Sequence, residues 1–515
     1  MTEHGSSGPG PSRRQALGGA AVLSTAAVLS GANAATAAAA SAGPAGPAGS
    51  AGSAVSAASA TSAAPDNGQI AGAPRIGQSP IGVGRQKPGK DLRELLARID
   101  PARLEATVHK LVSFGTRHTL SSQTDPARGI GAATDWVAAQ LQEIAATSGG
   151  RMTVERQSFV QPAGPRIPVP TTITNVIATL KGTAATERVY VVTGHLDSRV
   201  TDVLNATADA PGADDDASGV AAVLEMARLF ATRAFPGTLV FATVAGEEQG
   251  LFGSAFMAAQ MKAAGVDVQG MFSNDIVGAS SAWDGTVPDP HTVRLFVEGV
   301  PTSETPAQTA VRQSVGGEND GPSRQLARFA QDVAVNDATD LDIRVVWRRD
   351  RYLRGSDHVS FLQQGYPAAR FTEPRENFDH EHQDVRVENG VQFGDLAEFC
   401  DFRYLARVTR VNAATLWSLA AGPGTPKGFV ILTTPPPGFS GVNTTTLNWT
   451  RGDDAGLAGY EVVLRETTSP VWTEALAVGD VAAVTLPIAK DNVQFGLRAV
   501  DVNGLRSPVA FPNVA

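Results

Sequence analysis

Between Leu92 and about Ala421, short apolar runs of strand length alternate with longer stretches whose apolar positions recur at helical spacing. Ile173–Leu180, Val189–Thr193, Thr238–Val244, Met271–Val277, Arg294–Val297, Ile343–Trp347 and Ala368–Phe371 read as strands. Gly129–Ala146, Ser218–Thr232, Phe252–Ala264, Ser323–Val335 and Leu396–Leu419 read as helices. Such alternation predicts an α/β domain, a sheet covered by helices.

The helical pattern stops after Leu419, where Gly422 to Pro426 and then Pro435 to Gly438 mark a linker and a first loop. Beyond it the pattern is strand only. Leu447 to Trp449, Tyr460 to Leu464 and Val493 to Ala499 alternate inward and outward with turns between them, and the run resembles a fibronectin type III sandwich. No cluster of acids and histidines falls in it, so this small all-β domain is expected to bind an unknown partner, to act as a spacer or to stabilise its neighbour by packing, rather than to catalyse.

The α/β segment carries its acids and histidines at the ends of the predicted strands. His195 and Asp197 follow the second of them, and Asp214, Asp215 and Asp216 stand just before the helix opened by Ser218 and Gly219. Glu247 and Glu248 follow the third strand, Asp275 closes the fourth, and Asp379 to Asp384 follow the last after a loop. In open α/β sheets ligands bind outside the carboxyl ends of the strands, so these groups are expected to converge on one crevice.

The amino terminus has the order of an export signal: Arg13 and Arg14, an alanine-rich apolar run, and Ala32-Asn33-Ala34 as a signal-peptidase site. The paired arginines resemble a twin-arginine signal. Residues 1–34 are therefore expected to be a signal peptide, and 35–85, rich in Ala, Gly, Ser and Pro, a flexible disordered leader. An extracellular or cell-envelope protein with no membrane span in its mature chain follows from that expectation. The ordered domains are predicted at 86–421 and 426–515.

Composition narrows the chemistry. With 42% hydrophobic and 18% charged residues the 515-residue chain has the balance of a soluble enzyme, and a net charge of −9 argues against nucleic acid as a partner. Cys400 is the one cysteine, which excludes an intramolecular disulfide and any cysteine-rich metal site. Metal binding would have to use imidazole and carboxylate, as zinc accepts. Two metals close together need a bridging carboxylate and further ligands on each side, and a carboxylate outside their shell to take a proton from water. The adjacent pair Glu247 and Glu248 suits a division into base and ligand.

The strings GHLDS at Gly194–Ser198, PGADDDASG at Pro211–Gly219, AGEEQGLFGS at Ala245–Ser254, NDIVG at Asn274–Gly278 and GSDHVSFLQQGYPAARFTEP at Gly355–Pro374 occur in this order. Together they resemble the two-zinc exopeptidase family of secreted bacterial aminopeptidases, whose relatives include glutamate carboxypeptidase and glutaminyl cyclase. The resemblance covers about Leu111 to His382 and implies a mixed, mostly parallel twisted sheet. It further implies two Zn2+ ions, with His195 and Asp275 on the first, Glu248 on the second and Asp215 bridging. Asp197 would orient His195 through its carboxylate, the peptide bond from Asp215 to Asp216 would be cis, and Glu247 would be the general base.

The last ligand lies in Asn377-Phe-Asp-His380-Glu-His382-Gln-Asp384, which offers two histidines. His380 stands four before Asp384, matching the family's His-x-x-x-Asp ending, and is the expected ligand, with His382 the alternative. The implied reaction is hydrolysis of the first peptide bond of a peptide or protein N-terminus through a metal-bridged hydroxide. A carboxypeptidase, a glutaminyl cyclase or a non-catalytic binding protein on the same fold are the competing readings.

Overall fold

The computed structural model describes residues 81–184, 187–281, 286–432 and 443–514. The predicted signal peptide at 1–34 and residues 35–80 of the predicted leader lie outside them. Eight strands form one sheet: β1 (Met152–Gln161), β2 (Thr171–Leu180), β3 (Arg188–His195), β4 (Thr238–Val244), β5 (Asp267–Asn274), β6 (Thr292–Phe296), β7 (Asp342–Val346) and β8 (Ala368–Thr372). Their order is β1-β2-β4-β3-β5-β8-β6-β7. The pairs β4-β3, β3-β5, β5-β8 and β6-β7 are parallel, and the other three are antiparallel. The sheet is mixed and mostly parallel, as the resemblance implies.

Both faces are covered, which is why its central strands read as unbroken apolar runs. Along β3, Tyr190 and Val192 enter the larger core, which includes helices Pro101–Val112, Ile130–Ala146, Gly219–Phe230 and Phe402–Ala421. Val189 and Val191 point the other way, onto Met257 and Ala258 of helix Phe252–Ala263 and onto Phe361 and Leu362. Period-two alternation thus survives within a strand that looks uniformly apolar.

Three departures from the predicted elements have local causes. The edge strand β1 escapes the hydrophobic pattern because most of its side chains are exposed or half-buried. The last helix starts at Phe402, six residues later than predicted, because Asp401 caps it by accepting hydrogen bonds from the amides of Arg403 and Tyr404. Cys400 sits just before that cap, half-buried against the core. The leader also ends earlier than Arg85. Ile81–Gly82 pairs antiparallel with strand Glu474–Gly479, and the Val83 amide donates to the Thr473 carbonyl, so this segment belongs to the β domain.

The carboxyl-terminal domain has two four-stranded sheets. Trp449, Tyr460, Leu447, Val462 and Leu497 meet in its core. It belongs to the same compact unit as the α/β domain. Ion pairs and a buried hydrogen bond join the two: Asp320 lies between Arg328 and Arg465, Arg188 pairs with Asp454, and the Trp472 indole donates to Gln325.

Candidate metal centre

Strand β3 ends in Gly194 and His195. A Cβ on Gly194 would stand 2.6 Å from the backbone of Gly219 and Val220, so glycine lets the start of helix Gly219–Phe230 approach the strand end. The buried His195 ring is then fixed from behind. Its amide donates to an oxygen of Asp216 at 2.8 Å, and its Nδ1 lies 3.0 Å from the main-chain carbonyl of Asp197. The Asp197 carboxylate is 3.8 Å away from that nitrogen. This corrects the expected role of Asp197: its carbonyl orients the imidazole, while its carboxylate accepts from the Thr119 hydroxyl and from the amides of Glu247 and Glu248. Those two amides open the short helix Glu247–Gly250 and have no partner within it. Asp197 therefore couples the His195 loop to the two glutamates. Gly246, at φ +75°, makes the turn from β4 into them.

Asp215 stands in the loop before helix Gly219–Phe230, and its bond to Asp216 is cis. Both oxygens of Asp395 accept backbone amides here, from Asp214 and Asp215, each at 2.8 Å. Arg117, wholly buried, donates to the carbonyls of Leu196, Pro211 and Gly212 and so ties the loop after His195 to the loop before Asp215. Thus held, Asp215 points one oxygen at His195 Nε2, 2.9 Å away, and the other at His382 Nε2, 2.8 Å away.

Two groups of potential ligands share Asp215. One is His195, Asp215 and Asp275, and the other Asp215, Glu248 and His382. Asp275 Oδ1 lies 3.8 Å from His195 Nε2 and 3.2 Å from the buried guanidinium of Arg370. Glu248 Oε1 lies 3.1 Å from His382 Nε2, and its other oxygen accepts from Arg199 at 2.9 Å.

His380 is not in either group, which corrects the expected last ligand. Its ring stacks on Phe399 with centroids 3.5 Å apart, its Nδ1 lies 3.1 Å from the Asn377 amide nitrogen, and it lines a small cavity that Asp215 also borders, with Asp214, Glu373 and Asp395. His382 takes the place instead. Arg117, Asp395, Arg199 and Arg370 were not assigned to the site from sequence, because nothing in a lone arginine or aspartate marks it as a support for a ligand.

Glu247 lines the same cleft as Asp215, Glu248, Asp275 and His382 but belongs to neither ligand group. Burial pushes its carboxyl well above the ordinary range, and the neighbouring Asp275 and Glu248 push the same way, against His195. For Asp215 burial works to raise the value, but His382 and His195 outweigh it and hold the group well below the usual carboxylate range. The donor set is two imidazoles and three carboxylates, without thiolate, as zinc accepts. His195 Nε2 and Glu248 Oε1 are buried atoms with no hydrogen-bond partner among the described residues, and they lie 2.9 Å from Asp215 and 3.1 Å from His382. A cation between such atoms would satisfy them, so the residues fit the metal.

The sequence profile of peptidase family M28 matches residues 175–390. A probable zinc metalloprotease of Leptosphaeria maculans is 50% identical over 432 residues, which are 84% of this chain and 99% of that protein. The chain belongs to peptidase family M28. As an M28 peptidase it is an enzyme, a zinc metalloprotease. A probable zinc metalloprotease of Pyricularia oryzae is 53% identical over 442 residues, covering 84% of this chain and 87% of that protein. Both relatives are fungal, so the resemblance to secreted bacterial enzymes holds at the level of the family. Among solved structures, the LapA aminopeptidase of Legionella pneumophila aligns at 17% identity with a TM-score of 0.45, over 64% of this chain and 75% of that one. The glutaminyl cyclase of Porphyromonas gingivalis aligns at 18% identity with a TM-score of 0.40, over 62% and 97%.

Proposed function

We propose that this M28 enzyme is an exported aminopeptidase that uses two zinc ions and Glu247 as general base. The observation that carries the reading is the carboxylate of Asp215 set between two histidines, one oxygen to each, with Glu247 in the same cleft but outside both groups. His195 and Asp275 would hold one ion, Glu248 and His382 the other, and Asp215 both. Ions so held supply Lewis-acid polarisation of the scissile carbonyl and lower the pKa of water.

The chain's own residues do the rest. Glu247 accepts the proton of the attacking water and returns it to the departing amine. Asp197, holding the Glu247 and Glu248 amides, keeps base and ligand in fixed relation. Arg199 anchors the outer oxygen of Glu248, leaving the inner one for His382 and the second ion.

The test is a panel of aminoacyl anilides with free and acetylated amines, alongside metal analysis. Cleavage of the free amines only, with two zinc ions per chain, is the expected result. Zinc bound without cleavage would turn the reading to a carboxypeptidase or glutaminyl cyclase, and a chain that binds no zinc to a non-catalytic binding protein.

Export by the twin-arginine route is supported by Arg13, Arg14 and the Ala32-Asn33-Ala34 site. The double substitution Arg13→Lys with Arg14→Lys should leave the protein inside the producing cell; undiminished secretion would remove this part of the proposal. The fibronectin-type reading of the last ninety or so residues is supported by two four-stranded sheets packed around Trp449 and Tyr460.

A further inference from the structure

Four arginines line the cleft that holds the metal-site carboxylates: Arg166, Arg199, Arg351 and Arg354. Three are already neutralised. Arg199 pairs with Glu248 at 2.9 Å. Arg351 and Arg354 pair with Glu376 and Glu381, at 3.0 Å and 2.6 Å for the closest contacts. Arg166 differs, having no carboxylate within ion-pair distance among the described residues. Its one hydrogen bond among the described residues is from Nη1 to the main-chain carbonyl of Glu248, at 2.9 Å.

That bond fixes where its charge sits, on the cleft wall beside the residue whose side chain faces His382. The loop presenting it is itself held. The Gly164 amide donates to the Ile167 carbonyl at 2.6 Å, the Ile167 amide donates back at 3.2 Å, and Ile167 is buried. Arg166 is therefore an exposed cation on a pinned hairpin, with most of its five N–H donors unspent. A planar fork of this kind matches a carboxylate, and in a cleft whose other guanidiniums are paired its charge is the one left for a ligand.

We infer that Arg166 reads a carboxylate on the peptide substrate, so that the enzyme selects short peptides with an anionic group close to the scissile bond. The carboxylate is either the free carboxyl terminus of a dipeptide or an acidic side chain next to the cleaved bond. This inference rests on the peptidase reading of the cleft.

The experiment compares kcat and KM for alanyl-alanine against its amide, and for alanyl-glutamic amide against alanyl-glutamine amide, in wild type and in Arg166→Gln and Arg166→Lys. A charge-assisted hydrogen bond predicts a preference for at least one anionic partner of about 10- to 100-fold in kcat/KM, mostly in KM. Arg166→Gln should bring that ratio close to one, and Arg166→Lys should keep part of it. The first pair scores the carboxyl terminus and the second the side chain. Calorimetric binding of alanyl-alanine and its amide to Glu247→Gln, with and without Arg166→Gln, separates the two claims. Cleavage of all four peptides with no anionic preference, or a preference untouched by Arg166→Gln, overturns the inference and leaves the peptidase. Arg166-dependent binding of the acid without cleavage of any peptide would sustain the inference and overturn the peptidase reading.

Discussion

Glu247→Gln is expected to lower kcat by about 10²- to 10⁴-fold while the zinc content stays at the wild-type level. The substitution keeps the size of the side chain and removes its ability to accept a proton. It leaves intact what positions the residue, because the contact to Asp197 is made by the Glu247 backbone amide. Glu247 stands outside both ligand groups, so no ligand is lost. Rapid kinetics with metal analysis on the same preparation checks this. A variant that loses metal would make Glu247 a ligand, and one that keeps kcat within tenfold would remove it as the base.

The second large effect separates two histidines two residues apart. His382→Ala removes an imidazole whose Nε2 lies 2.8 Å from Asp215 and 3.1 Å from Glu248. Substitution of residues that merely support ligands costs about 10- to 100-fold in metal affinity, and losing a ligand should cost more than about 100-fold. One ion per chain should then be released by a chelator that leaves wild type loaded. His380→Ala should keep both ions and lose the stacking on Phe399, about 1 kcal/mol in thermal or denaturant unfolding, together with the contact to the Asn377 side chain. Equal loss of metal in the two variants would contradict the ligand set drawn here.

Most of the sheet was legible because its central strands carry long apolar runs, and those runs are where the core is. Thr238–Val244 matches its predicted limits, and the other predicted strands shift by a few residues at their ends. Strand β1 was not legible, since an edge strand exposed along much of its length carries little apolar signal. Of the site, the residues at strand ends were readable from spacing. Arg117 was not, although it spans three carbonyls of two loops, because its partners are backbone groups at 79 to 95 residues' separation.

The sequence by itself determined the alternation of strand and helix, the placement of His195, Glu247, Glu248 and Asp275 at the strand ends and of Asp215 before a helix, and a donor set without thiolate. Tertiary structure decided which histidine completes the set and what the Asp197 carboxylate holds. The physical reason is the same in both cases. A strand or helix has a period that tells which way each side chain points, whereas the loops after β3 and β8 have none. His380 and His382 lie in such a loop, the latter at φ +55°, and only the stacking of one on Phe399 and the reach of the other to Asp215 tell them apart.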